Sequence, residues 1–247
     1  MKKFLIALQF LTILPIKIKS GIRPQEIGRS LVYFPIVGAL IGSTLALSLF
    51  VFGSLPFPVT SALILVILIV MTGGVHLEGF VDTCDGFCGG NSKEKILEIM
   101  RDSHIGTMGA IGLICLLVLK FTLIMNVVQK NQWQSLIMMA TFARWTQILS
   151  CFLSNYARLE GKAKYFIKYA GHKELLAGGL FTLVTFLLLA NLKGIVLFIL
   201  SILIVLLFIN YVKRKIGGMT GDTIGAVNEL AEVIILIFSL ILITPNK

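Results

Sequence analysis

The sequence predicts an all-α protein, a polytopic integral membrane bundle of about seven transmembrane helices with a short N-terminal helix that is interfacial or half-spanning. Three observations lead there. The chain of 247 residues is 57% hydrophobic and 14% charged, with a mean hydropathy of +0.94, whereas a soluble domain is about 45–50% apolar and about 25% charged. Apolar runs of near-span length recur from residue 31 to residue 243. The Lys and Arg residues gather in alternate connections. No long soluble segment intervenes, so residues 1–247 read as a single membrane-embedded domain.

The elements follow in order. Residues 4–16, FLIALQFLTILPI, stand behind Lys2 and Lys3 like a signal-peptide core. No small-residue cleavage site follows, and Pro15, Lys17 and Lys19 interrupt the run. It is also too short to cross, since a span needs about 20 residues. The expected spans are 31–52, 57–75, 108–128, 133–153, 175–191, 194–210 and 224–243. The connections 53–56, 129–132 and 192–193 are short, whereas 17–30, 76–107, 154–174 and 211–223 are long and polar.

Charge sets the orientation. The long connections carry Lys17, Lys19, Arg23 and Arg29; Lys93, Lys95 and Arg101; Arg158, Lys162, Lys164, Lys168 and Lys173; and Lys213, Arg214 and Lys215. The short ones and the far terminus carry only Lys130, Lys193 and Lys247. Strict alternation through seven spans puts every long connection on one side, and the positive-inside rule makes that side cytoplasmic. Lys120 and Arg144 fall inside spans, where a charge is by default functional or paired.

The net charge of +10 is explained by topology, so no nucleic-acid partner is expected; the partners are small molecules and membrane lipids, and homo-oligomer formation is left open. Cys84, Cys88, Cys115 and Cys151 do not form a disulfide framework, and the C-x3-C pair with His76 and His104 is a poor zinc pattern. A transporter would place acids mid-span in several helices, usually with internal symmetry. Here they crowd one membrane edge.

Four polar clusters share the cytoplasmic side. In GGVHLEGFVDTCDGFCGG, Glu78, Asp82 and Asp85 are spaced four and then three apart, on one face of a helix, beside His76. Grouped carboxylates repel unless a cation lies between them. Mg2+ prefers a few carboxylates together with substrate phosphate oxygens, although one of the three is expected simply to cap a helix. The second cluster is Arg101, Asp102, Ser103 and His104, reached through a helix whose start resembles a capping box from Asn91 to Glu94. The third centres on Arg158, a fork of phosphate donors. In the fourth, GGMTGDTIGAVNELAE, Thr220, Gly221 and Asp222 open a helix that also carries Glu229 and Glu232. Such a turn binds phosphate through backbone N–H groups. Together the clusters describe metal-assisted attack of a hydroxyl on a diphosphate, with a carboxylate or His76 taking the proton.

The ordered motifs GGVHLEGFVDTCDGFCGG, IMRDSHIGTMG, YARLEGK and GGMTGDTIGAVNELAE resemble those of the cobalamin synthase (adenosylcobinamide-GDP ribazoletransferase) family over nearly the whole chain. The resemblance implies an Mg2+-dependent transferase at the bacterial cytoplasmic membrane, multi-pass with its site on the cytoplasmic face. It would join adenosylcobinamide-GDP to alpha-ribazole or its 5'-phosphate, releasing GMP and giving adenosylcobalamin or its 5'-phosphate. It implies Glu78, Asp82 and Asp85 as metal ligands, Asp102 and Asp222 as further acidic site residues, and Arg101 and Arg158 as phosphate contacts. With the reading of the clusters, the expected catalytic residues are His76, Asp82, Asp102 and Asp222, and the expected substrate contacts are Arg101, Ser103, Arg158, Thr220 and Gly221. Three positions depart from the family pattern: Glu78 where Asp is expected, His104 where Arg is expected, and Cys84 where a small residue is usual, the last with no chemistry attached to it. A CDP-alcohol phosphotransferase is excluded because Asp85-Gly86 is followed by Phe87, Cys88, Gly89 and Gly90 rather than by that family's motif. A polyprenyl transferase wants two aspartate-rich motifs, which the second cluster and Asp222 meet poorly.

Overall fold

The computed structural model describes residues 1–18, 21–161 and 163–243, so three residues of the charge count, Lys19, Lys162 and Lys247, lie outside the described residues. Among the described residues the secondary structure is helical apart from one isolated bridge. The helices are α1 (Lys2–Leu11), α2 (Pro24–Ser30), α3 (Phe34–Val51), α4 (Phe57–Thr72), α5 (Val75–Gly89), α6 (Lys93–Ile99), α7 (Thr107–Gln129), α8 (Trp133–Phe152), α9 (Lys164–Tyr169), α10 (His172–Ile216) and α11 (Gly221–Leu242). A 3-10 turn, Leu31–Tyr33, joins α2 to α3.

Each expected span is helical, but length and apolarity alone qualify fewer of them. Four segments suffice, namely Pro24–Val51, Thr107–Gln129, His172–Ile216 and Gly221–Leu242, and a fifth is the bent pair of α4 and α5. The 45-residue α10 accounts for two expected runs, because Asn191 at φ 51, ψ −142 breaks it. Phe186 and Phe198 meet at 5.6 Å between ring centroids, although twelve residues of straight helix would hold them roughly 18 Å apart. The segment is therefore a helical hairpin. Its second arm runs on to Ile216, so the polar connection expected at 211–223 begins six residues late.

α8 falls short of the apolar criterion for a reason the sequence hides. Every residue from Met138 to Cys151 is buried, because α3, α10 and α11 pack around it. Arg144, Thr146 and Gln147 lie within that buried stretch, so α8 carries them without exposing them to hydrocarbon. Arg144 pairs with Glu232, and Lys120 pairs with both Glu229 and Glu232. Two cations and two carboxylates thus neutralise one another inside the bundle, which is how buried charge is tolerated.

The approach to the site is set by Gly73 and Gly74, both left-handed at φ 61 and φ 67. A side chain at either would be strained there. Their turn swings α5 through 90° from α4. At the start of α6 the cap is Ser92, whose hydroxyl accepts from Lys95 N at 3.2 Å, one residue later than the capping box expected at Asn91. The N-terminal helix is α1, ten residues long, and Leu11 and Ala7 bury it against the core.

Candidate active site

α5 lies directly on the first turns of α11. A Cβ on Gly79 would come within 2.7 Å of the Asp222 backbone, so only glycine permits this approach. The crossing brings the first and fourth motifs together. The third joins them through main chain: Met219 N donates to Asn155 O and Ala157 N donates to Met219 O, each at 2.9 Å. That pairing presents Arg158 to Asp222, with Nη2 at 2.8 Å from the carboxylate. Arg158 also donates to the Met100 carbonyl at 3.2 Å, which fixes the second motif's helix beside it. Its Nε is buried and without a partner.

Two cavities open on either side of this junction. The larger, about 690 Å3, is lined by Glu78, Asp82, Arg101, Asp102, Ser103 and Arg158. The smaller, about 300 Å3, is lined by His76, Glu78, Arg158, Gly221 and Asp222 on one side. Its opposite side is aromatic. Glu78 and Arg158 belong to both cavities. Asp82 lies within electrostatic reach of Asp222, Glu78 and Arg158, so the carboxylates and the guanidinium share one field.

Thr220 caps α11, its hydroxyl accepting from Thr223 N at 3.2 Å. The first turn of that helix therefore faces the smaller cavity through Gly221 and Asp222. Asp102 is exposed and turns onto His104, accepting from its backbone N–H at 3.0 Å and lying 2.6 Å from its ring Nδ1. The backbone N–H and then the imidazole hold the Asp102 carboxyl below the usual carboxylate range. His104 therefore steadies Asp102 where an arginine was expected.

Asp85 takes the capping role foreseen for one member of its trio. Its two oxygens accept from Gly106 N at 2.8 Å and Gly109 N at 2.7 Å. Those are orphan donors in the first turn of α7. It lines neither of the two cavities but borders a third, of about 600 Å3, with Arg101, Asp102 and His104. Asp222 and Glu229, on the same helix, serve different partners: Asp222 meets Arg158, while Glu229 joins the Lys120 cluster.

A divalent cation can be tested against these donors. Among the described residues no three His, Cys, Asp or Glu side chains converge to hold a metal by themselves. Glu78 and Asp82 border a roomy polar cavity with Arg101 and Arg158. Such a set fits Mg2+, which keeps several waters and takes one or two carboxylates plus substrate phosphates.

His76 is buried and belongs to a chain that sequence reasoning did not see. Its Nε2 lies 3.2 Å from Gln147 Nε2, which donates to Asn228 Oδ1 at 2.9 Å. Asn228 Nδ2 in turn donates to Glu232 Oε1 at 3.2 Å. Glutamine and asparagine within apolar runs were the only available signal. The other omission is the aromatic side of the smaller cavity, formed by Phe10, Phe34 and Phe166. Nothing distinguishes these from ordinary core phenylalanines in the sequence.

A helical membrane bundle with acidic and basic motifs converging at one end of its helices defines a membrane-embedded transferase. The cobalamin-5-phosphate synthase family model matches residues 3–240, and the chain belongs to that family. It is 36% identical over 237 residues to the adenosylcobinamide-GDP ribazoletransferase of Geotalea daltonii, covering 96% of each chain. It is 37% identical over 233 residues to the protein of that name in Clostridium acetobutylicum, covering 94% of this chain and 92% of the relative. The one from Acetivibrio thermocellus is 35% identical over 239 residues, 96% of each. No solved structure matches the chain.

Proposed function

We propose that the protein is an Mg2+-dependent adenosylcobinamide-GDP ribazoletransferase of the bacterial cytoplasmic membrane, working on its cytoplasmic face as one membrane-embedded domain. The acceptor is alpha-ribazole or its 5'-phosphate, and the products are adenosylcobalamin or its 5'-phosphate and GMP. The observation that carries this reading is the wall of Glu78 and Arg158 common to the two cavities. One reactant on each side would meet the other there. The Lys and Arg bias of the long connections supports the cytoplasmic face.

Glu78 and Asp82 would hold the cation in the larger cavity, and Arg101 and Arg158 would take the diphosphate. When bound, Mg2+ neutralises the diphosphate and the departing GMP oxygen. Arg158 offers a guanidinium already aligned by the Met100 carbonyl, and alignment with fixed charge supplies most of the rate in such transfers. Asp222, in the smaller cavity, would take the proton of the attacking hydroxyl. Asp102 and Ser103 would border the donor, and the N–H groups opening α11 at Gly221 would steady an acceptor phosphate. His76 lies in the same wall, but its Nε2 points at Gln147.

The test is release of GMP from adenosylcobinamide-GDP by protein in liposomes, with alpha-ribazole 5'-phosphate supplied, comparing wild type with Asp82→Asn. GMP and a cobalamin product should form only with Mg2+ and only with Asp82 intact. Unchanged transfer by Asp82→Asn would remove Asp82 from the site. No GMP from folded wild type would remove the donor assignment.

A further inference from the structure

We infer that the smaller cavity is the seat of the acceptor's flat aromatic base, and that Phe10, Phe34 and Phe166 are the residues that select it. The inference rests on the transferase reading above and deepens it.

The three rings come from parts of the chain that contain none of the polar motifs, namely α1, α3 and α9. They nevertheless form one surface. Phe10 lies 4.6 Å from Phe166 and 5.9 Å from Phe34, and Phe34 lies 5.5 Å from Phe166, all between centroids. This surface borders the cavity that Asp222 and Arg158 border from the other side. At about 300 Å3 the space is at the small end for ligand sites, too small for a corrinoid and fitting for a nucleoside. An apolar aromatic wall facing a carboxylate and a guanidinium matches a molecule with a flat ring at one end and hydroxyl or phosphate groups at the other. Stacking on phenylalanine accepts any ring of that shape, because the contact is made through the π-face. The wall also gives α1 a role beyond anchoring: it brings Phe10 to the site.

The experiment measures KM separately for alpha-ribazole 5'-phosphate and for adenosylcobinamide-GDP, in liposomes with Mg2+, for wild type, Phe166→Leu, Phe166→Trp and Phe10→Leu. Loss of a stacked ring should raise the acceptor KM by about 5- to 100-fold in both leucine variants. The donor KM should stay put, and Phe166→Trp should restore the acceptor KM. Phe10 is only half-buried, so its variant reports even if Phe166→Leu fails to fold. Equilibrium dialysis of alpha-ribazole 5'-phosphate against base-free ribose 5-phosphate, which differ only in the base, supplies a readout independent of turnover. The nucleotide should bind wild type more tightly than the sugar phosphate does, and Phe10→Leu should erase the difference. A shift in the donor KM alone, or an equal affinity for ribose 5-phosphate, overturns the inference. Wild-type protein that binds the nucleotide through Phe10 yet releases no GMP would overturn the transferase reading and leave the pocket standing.

Discussion

Arg158 meets Asp222 at 2.8 Å, and the backbone rather than the side chains brings them together. The parallel bridge between Tyr156 and Met219 holds the two loops together independently of either charged group. The pair stands between the proposed seats of donor and acceptor. On the proposed mechanism, a diphosphate that drew on Arg158 would loosen its hold on Asp222 and free that carboxylate to accept a proton when both reactants are present.

Arg158→Lys keeps the charge but replaces the rigidly held Nη2 that serves both Asp222 and the Met100 carbonyl with an ammonium on a flexible stem. A charge-assisted hydrogen bond contributes about 1.5–3 kcal/mol, so kcat/KM for GMP release should fall about 10- to 100-fold. Because the two groups act as a unit, Asp222→Asn added to Arg158→Lys should cost little beyond Asp222→Asn alone. Fully multiplicative losses would show that the groups work independently.

Asp82 and Asp85 are one helical turn apart and should respond differently. Asp85 caps α7 with both oxygens; an amide there keeps one acceptor and turns its NH2 on the other N–H, at a cost of about 1–3 kcal/mol for the unsatisfied donor. Asp85→Asn should lower the thermal unfolding midpoint in detergent and keep measurable transfer. Asp82→Asn should abolish transfer and leave the midpoint unchanged. If Asp85→Asn instead loses activity at an unaltered midpoint, the Asp85 carboxylate belongs to the metal site after all.

This contrast marks how far the sequence could be read. Every expected apolar run is helical because hydropathy reports on burial, and the clusters meet because their motifs end spans on one side. A spacing of four and three places carboxylates on a shared face, but it cannot tell which carboxylate finds orphan N–H groups 21 residues onward. The break at Asn191 was legible as a short connection, whereas the burial of α8 from Met138 to Cys151 was not. That burial depends on three other helices, and residues such as Arg144 and Gln147 only lower the apparent apolarity of their own run. The phenylalanine wall was invisible for the opposite reason, since apolar residues in an apolar chain carry no contrast.

The buried quartet gives a prediction about stability. Lys120→Met leaves Glu229 and Glu232 with one cation between them, and an unpaired buried charge costs about 3–5 kcal/mol. Lys120→Met combined with Glu229→Gln restores neutrality around Arg144 and Glu232. The double variant should therefore unfold at a higher temperature than Lys120→Met alone. A still lower midpoint would mean that packing, rather than charge balance, governs this cluster.

The same quartet fixes the proton on His76. Carboxylates only accept, so Asn228 must turn its amide nitrogen to Glu232 and its oxygen to Gln147. Gln147 then donates one hydrogen to Asn228 and has the second for His76 Nε2, 3.2 Å away. With Nε2 accepting, the ring proton sits on Nδ1, and Nε2 has no free lone pair to take the proton of an attacking hydroxyl. His76 held in this way lines the cavity wall, and the proposed mechanism leaves the base to a carboxylate. Nitrogen-15 NMR of histidine-labelled protein, with His76→Asn identifying the resonance, should show a protonated Nδ1 and an unprotonated Nε2. Gln147→Glu presents an acceptor in place of the donor and should move the proton to Nε2. A wild-type ring already protonated at Nε2 would break the chain of amides at Gln147 and return His76 to the candidates for the base.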